Sequence, residues 1–276
     1  MAKGKIKINT PPPSTPTAPQ PSTKYSGVKH TIMIMSGKGG VGKSTFSVNL
    51  AVSMGKTKNV GIIDADINGP DDPMLLGVSK DKLHVENNKI IPMKTKYGVD
   101  VISMAFFLPD DSTAVIWRGA LRHKAIQQFL EDATWEGKDY VIIDFPPGTG
   151  DEALSVAQMI PEVDGVVIVV TPQDLALLDA KKAINFAEQL HLKVIGIVEN
   201  MSGFSCPHCG TVTNIFKTGG AEALAKELNI EFLGKIPIYP EIVQHADTGV
   251  PAVESSEEVR KIYNEISSRI ASLVEK

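Results

Sequence analysis

The chain has 276 residues, 42% of them hydrophobic, and its 28 basic and 32 acidic residues leave a formal net charge of −4. That balance fits a globular protein with a large core and offers no electrostatic footprint for nucleic acid, so no nucleic-acid partner is expected. No apolar run approaches the roughly 20 residues of a membrane span, and the lysine-bearing N-terminus lacks the apolar stretch of a secretory signal; the expectation is a cytoplasmic protein without a membrane partner.

Residues 1–28 stand apart: Pro11, Pro12, Pro13, Pro16, Pro19 and Pro21 are interleaved with Ser, Thr and Gln. Such a segment cannot build a packed core and reads as a disordered or polyproline-like arm ahead of one domain over 29–276. Residues 31–35 form a short apolar strand pattern, and Phe46, Leu50 and Met54 recur at helical spacing. Between them, Gly37-Lys38-Gly39-Gly40-Val41-Gly42-Lys43-Ser44-Thr45 fits the phosphate-binding pattern Gly-x-x-x-x-Gly-Lys-[Ser/Thr]. Its glycines let backbone N–H groups converge on phosphates at the positive end of the following helix. Lys43 is placed to reach the β and γ phosphates of ATP, and the Ser44 hydroxyl to ligate Mg²⁺. Lys38 is not needed in that minimal scheme, and the motif alone leaves it either solvated or functional.

Further along, apolar runs at 60–64, 99–104, 140–144, 165–170, 193–198 and 231–236 alternate with helical patterns at 118–130, 174–190 and 220–228. Several runs lack the alternation of a half-exposed strand. The succession predicts an α/β fold, with a doubly wound, mostly parallel sheet flanked by helices. Ligands of such sheets bind at the carboxyl ends of the strands, where Asp64, Asp66 and Asp144 fall. Asp144 is read as holding Mg²⁺, directly or through water, in preference to capping its strand end. Asp66 is the candidate for orienting the attacking water and sits with Ser44 and Asp144 on the magnesium side, while Asp64 is structural or magnesium-linked. Asp71 and Asp72 are expected to cap or solvate the turn after Pro70. Gly148, after Pro146-Pro147, is expected to present its N–H to a γ-phosphate as part of a switch.

The only cysteines lie in Cys206-Pro207-His208-Cys209-Gly210. The Pro, Gly, Ser and Thr around them read as a loop rather than the helix start of a thioredoxin-like pair. A structural zinc or an iron-sulfur cluster usually takes four protein ligands, and one chain offers two thiolates. Two pairs on a two-fold axis make a tetrathiolate site; an unoccupied reduced pair is the alternative. His208 is expected to be exposed or outside the ligand set.

In order along the chain, Lys38-Gly39-Gly40-Val41-Gly42-Lys43-Ser44, Asp64-Ala65-Asp66-Ile67-Asn68-Gly69-Pro70, Trp117-Arg118-Gly119, Asp144-Phe145-Pro146-Pro147-Gly148-Thr149-Gly150-Asp151, Thr171-Pro172-Gln173-Asp174, Glu199-Asn200-Met201-Ser202 and the cysteine pair resemble the Mrp family. Its members are ATP-binding iron-sulfur cluster carriers, relatives of the MinD and ParA positioning ATPases. The resemblance implies a slow ATPase acting as a homodimer, with apo iron-sulfur proteins as recipients. It implies that Lys38 crosses the dimer to the partner's phosphates, that Asn200 meets the adenine edge with Pro237 and Ile238 near the base, and that Cys206 and Cys209 bridge a labile 4Fe-4S cluster. One departure is local: Pro70-Asp71-Asp72-Pro73 stands where the family pattern has Pro-Ser-Ile-Pro. Two other readings compete. A positioning ATPase is suggested by the apolar spacing Val259, Ile262, Tyr263, Ile266, Ile270, although Glu257, Glu258 and Glu265 mix with Arg260, Lys261 and Arg269 on the polar side, against a membrane anchor. The other is an ATPase whose dimer is bridged by structural Zn²⁺.

Overall fold

A computed structural model describes residue 25 and residues 27–67, 69–78, 84–86, 89–107, 132–160, 162–206 and 208–276. Most of the N-terminal arm, the helical pattern at 118–130 and the Trp117-Arg118-Gly119 motif lie outside the described residues.

The elements in chain order are β1 (His30–Met35), α1 (Lys43–Met54), β2 (Val60–Asp64), α2 (Asp72–Leu75), β3 (His84–Glu86), β4 (Lys89–Ile91), β5 (Met93–Lys94), β6 (Val99–Ser103) and β7 (Tyr140–Asp144). There follow α3 (Asp151–Met159), β8 (Gly165–Val170), α4 (Asp174–Gln189), β9 (Val194–Ser205), β10 (Val212–Thr213), α5 (Gly220–Leu228), β11 (Phe232–Ile238), α6 (Pro240–Asp247), α7 (Ala252–Ser255) and α8 (Glu257–Val274). Seven strands run parallel in the order β11-β9-β8-β1-β7-β2-β6; β5 adds antiparallel at the β6 edge, and β10 pairs antiparallel with the far end of β9. The predicted sheet is thus present and mostly parallel.

Covered faces explain the unalternating strands. Every residue of β2, β7 and β8 is buried. On one face Met33, Met35, Ile63, Ile143 and Ile168 pack under α3, α4 and α5; on the other Ile32, Ile34, Ile62, Ile142 and Val167 pack under α1, α7 and α8. Helix α8 starts at Ser256, whose hydroxyl accepts the Val259 N–H, and it turns Val259, Tyr263, Ile266 and Ile270 into this second core. The apolar stripe that suggested a positioning role is therefore spent on packing.

The chain leaves β1 toward β2 and β6, returns to β7, then crosses β1 to reach β8. This reversal beside β1 opens the crevice in which doubly wound sheets bind ligands. The register there is informative: Asp64 of β2 pairs with Asp144 of β7 on one side and with Ser103 of β6 on the other. In a parallel pair, side chains in register point to the same face, so these three polar groups stand in a row at the strand ends beneath α1.

Candidate nucleotide site and cysteine hairpin

The loop between β1 and α1 holds its shape through left-handed glycines and one brace. Gly42 has φ 82°, and a Cβ there would come within 2.3 Å of Asn200 Nδ2. That same nitrogen donates to the Val41 carbonyl at 2.8 Å. The glycine thus lets β9 tie down the loop, and Asn200 is placed against the phosphate-binding segment.

Lys43 is only 6% exposed and its Nζ lies 2.7 Å from Asp144 Oδ2. Ser44 Oγ donates to the same oxygen at 2.7 Å, and Ser47 Oγ donates to Asp144 Oδ1 at 2.6 Å. Burial by itself pulls the Lys43 pKa down, but Asp144, with Asp72 and Asp64 beyond it, outweighs this and holds it above its ordinary value. The ammonium, the magnesium-side hydroxyl and the strand-end carboxylate predicted from sequence are therefore in direct contact. Ser47 was not predicted; it lies one helical turn past Lys43 and so faces the same strand end.

Asp64 is fully buried and accepts from Ser103 Oγ at 2.8 Å and from the backbone N–H groups of Asp66 and Asp72. Burial, then the nearby Asp144 charge, push its pKa well up, opposed by the Ser103 hydrogen bond and Lys43. Asp66 Oδ1 accepts the Gly69 N–H at 3.2 Å. Asp72 overturns the expectation of a turn cap. It opens α2, makes no capping hydrogen bond there, and is completely buried beside Asp64 and Asp144. Asp71, at the N-cap position, is exposed and makes no side-chain cap either.

A cleft of roughly 380 Å³ opens over the loop, walled by Lys38, Lys43, Ser44 and Thr45, by Asp66 and Asp71 after β2, by Pro147, and by Ala246 and Asp247 of α6. Met74 and Leu75 of α2 complete its apolar side. Asn200, Pro237 and Ile238 lie outside this lining; Ile238 is paired with Phe204 on β9. The Gly148 N–H, expected to face a phosphate, here donates to the Ser36 carbonyl at 2.9 Å, in a left-handed turn of φ 83°. Lys38 is half-buried on the cleft wall, and no carboxylate pairs with its ammonium among the described residues.

The cysteines cap a hairpin made by the end of β9 and by β10, where Ser205 pairs with Val212 and Phe204 with Thr213. The Cys206 N–H donates to the Thr211 carbonyl, and the Gly210 N–H returns to the Cys206 carbonyl. Cys209 is exposed and Cys206 half-buried, both as free thiols. The Thr211 side chain, 3.2 Å from Cys209 Sγ, the Thr211 backbone and the Cys206 thiol hold the Cys209 pKa below the ordinary thiol value. His208 is exposed. Beside the hairpin, Val212, Ile215 and Phe216 expose 68%, 53% and 37% of their surface. Its base is fixed by Glu199, adjacent to Asn200, which accepts the Gly219 and Ala221 N–H groups at the start of α5 and the Ser202 hydroxyl. Nothing in the spacing of the motifs singled out Glu199 for this tie.

The doubly wound sheet, the glycine loop ahead of a helix, and the contact of its lysine and serine with a strand-end aspartate define a P-loop nucleoside triphosphatase. Residues 27–271 match the family model described as "ParA: NUBPL iron-transfer P-loop NTPase", and the chain belongs to that family. It is 48% identical over 250 residues to an iron-sulfur cluster carrier protein of Methanocaldococcus jannaschii, covering 89% of this chain and 86% of that one. A protein of the same name from Methanococcus maripaludis is 46% identical with the same coverage. Among solved structures, a nucleotide-binding protein from Archaeoglobus fulgidus in complex with ADP is 41% identical, with a TM-score of 0.73 over 84% of this chain and 90% of that one. MinD from Pyrococcus horikoshii OT3, complexed with Mg-ADP, shares the fold at 20% identity and a TM-score of 0.67, over 88% of this chain and 96% of that one.

Proposed function

We propose that this chain is an ATP-hydrolysing carrier that binds a 4Fe-4S cluster between two copies of itself and passes it to apo-proteins. The observation that carries the reading is one strand, β9, which braces the phosphate loop through Asn200 and presents Cys206 and Cys209 at its far end. Relatives at 46–48% identity bear the name of iron-sulfur cluster carrier, which supports it. A pair of free thiols, one exposed and one half-buried, suits a cargo that must be both gripped and released. The apolar side chains around the hairpin give a second copy something to bury.

In this reading Gly37, Lys38, Gly39, Gly40, Val41, Gly42, Lys43, Ser44 and Thr45 cradle the ATP phosphates. Ser44, Asp66 and Asp144 form the magnesium side; a hydroxyl and two carboxylates are a donor set suited to that hard cation. Asp66 orients water. Gly148 joins when it leaves the Ser36 carbonyl, and Asn200, Pro237 and Ile238 serve the base. Lys38, uncommitted on the cleft wall, acts across the dimer. The domain runs over 29–276 behind the N-terminal arm, and the protein works in the cytoplasm; no helix among the described residues is long and apolar enough to cross a membrane.

Four thiolates alone do not choose between a cluster and Zn²⁺. Metal and sulfide analysis of anaerobically purified or reconstituted protein, with visible absorption, decides between them. Iron and sulfide held by Cys206 and Cys209, and activation of an apo-aconitase-type enzyme, are the expected results. Failure to bind iron and sulfide while ATP binding is intact would sink the carrier reading, and stoichiometric zinc in its place would establish the structural bridge.

A further inference from the structure

The cysteine hairpin hangs from β9 at a break in the sheet. On one side β9 keeps its ladder as far as Glu199, paired with Val170 of β8, and on the other as far as Asn200, paired with Ile236 of β11. The next β11 pair joins Ile238 to Phe204, so β9 advances four residues where β11 advances two. Inside this bulge Met201 has φ 56° and Gly203 φ 81°; on the returning leg Lys217 has φ 72° and Gly219 φ 82°. Each leg therefore passes through a left-handed residue that carries a side chain, followed two positions on by a left-handed glycine. Left-handed backbone is disfavoured wherever a Cβ is present, and it persists only where the surroundings hold it.

One side chain holds both legs. Glu199 is completely buried, and its carboxylate accepts the Ser202 hydroxyl from the outgoing leg and, from the return, the Gly219 N–H at 2.8 Å and the Ala221 N–H at 2.7 Å. Ser202 Oγ also lies 2.9 Å from Thr218 Oγ1, which joins the legs directly. A buried carboxylate is tolerated when donors fill its lone pairs, and here they come from both left-handed segments. Capping α5 accounts for the two N–H groups alone. It gives no reason for Ser202, which in an unbroken strand lies on the face opposite Glu199, to turn back to the same carboxylate. Asn200, between the ladder and the bulge, is the residue that braces the Val41 carbonyl of the phosphate loop.

We propose that Glu199 is a positioning residue that latches the cysteine hairpin at these two hinges, and that nucleotide in the cleft releases the latch. The inference rests on the proposed reading of the nucleotide site and of Asn200. When the base draws the Asn200 carboxamide from Val41, the ladder to Ile236 keeps residue 200 anchored, and the movement passes into Met201. Met201 relaxes toward extended backbone, Ser202 turns away from Glu199, and the Gly219 and Ala221 N–H groups lose their acceptor. Cys206 and Cys209 then swing together on the β9–β10 hairpin. The state of the cleft thereby selects between two arrangements of the thiols.

The test is hydrogen exchange of the reduced, iron-free full chain with and without saturating Mg-ADP, read by mass spectrometry over residues 217–222, beside Mg-ADP affinity by calorimetry. Expected is exchange about fivefold or more faster with nucleotide. Burial of the hairpin in a dimer slows that exchange, so the sign separates the two. Glu199→Gln keeps the shape but replaces one acceptor oxygen by a donor. It is expected to exchange fast without nucleotide, to gain nothing further from it and, because coupling is reciprocal, to bind Mg-ADP more tightly than wild type. Mere damage to the fold weakens binding instead. Should Glu199→Gln fail to fold, Met201→Gly takes its place: glycine holds a positive φ without steric cost, so the latched state gains and Mg-ADP binds more weakly and accelerates exchange less. Mg-ADP binding with unchanged or slower exchange in the wild type, a Glu199→Gln that binds no tighter, or a Met201→Gly that matches wild type overturns the proposal. Absence of Mg-ADP binding sinks the nucleotide reading with it, whereas failure to bind iron and sulfide leaves the latch standing.

Discussion

Lys38 and Lys43 carry the same charge on one loop but meet opposite surroundings. Lys43 is buried against Asp144 and, in the proposed reading, is the cation that nucleotide phosphates share. Lys43→Ala is therefore expected to abolish ATP binding, measured with a fluorescent nucleotide. Lys38 has no acidic partner among the described residues and is proposed to act across the dimer, so its removal leaves Lys43 and the rest of the cradle in place. Lys38→Ala is expected to retain ATP binding and lower single-turnover hydrolysis by about 10³-fold, the scale of a transition-state cation supplied from a partner; unchanged hydrolysis contradicts the cross-dimer role. The cross-dimer role of Lys38 came from the family resemblance; Lys43 was legible because the loop pattern fixes its spacing. Asp72 was not: a carboxylate in a Pro-Asp-Asp-Pro turn reads as a cap, and only the fold of α2 against β2 turns it inward.

Strands and helices were legible in proportion to how local their causes are. The unalternating runs of β2, β7 and β8 announce burial on both faces, and the structure has it. Strand β9 was expected to stop at 198, where the apolar run ends; it continues to Ser205 because the distant Ile238 and the antiparallel β10 pair with its polar end. Gly61 in β2 shows the same dependence on distant residues. A Cβ there would come within 2.3 Å of the Trp135 ring, which lies across the strand and is nearly fully buried. Gly61→Ala is expected to destabilise the fold by about 1–3 kcal/mol, the usual cost of overpacking a filled core, and urea unfolding checks it.

At the scale of the molecule, acid stability and assembly are both open to measurement. Asp139 is held below the ordinary carboxylate range chiefly by the Lys29 side chain, then by the Asn59 N–H, and so joins the starts of β1, β2 and β7. Glu275 is likewise lowered, by the Tyr140 hydroxyl and then Lys58, which pins the C-terminus. Carboxylates with lowered folded pKa values contribute stability that is complete above the unfolded value and lost as pH falls through the folded one. The melting temperature should therefore decline below about pH 4, and Asp139→Asn should lower it at neutral pH while flattening that decline. For assembly, Cys206→Ala is expected to remove the cluster and any cluster-dependent dimer in anaerobic sedimentation, with ATP binding intact. Loss of ATP binding in that variant would make the cysteine a structural residue instead.

The amino-acid order by itself determined the parallel α/β sheet, the phosphate loop and the pairing of an ATP site with two thiols, because each rests on spacing within a few residues. Tertiary structure alone decided which carboxylates meet and what the cysteine strand is tied to. Those outcomes depend on strand register and on chain segments far apart in sequence: β2 against β7, α2 folded back over both, and β9 reaching from Asn200 at the phosphate loop to the cysteine hairpin.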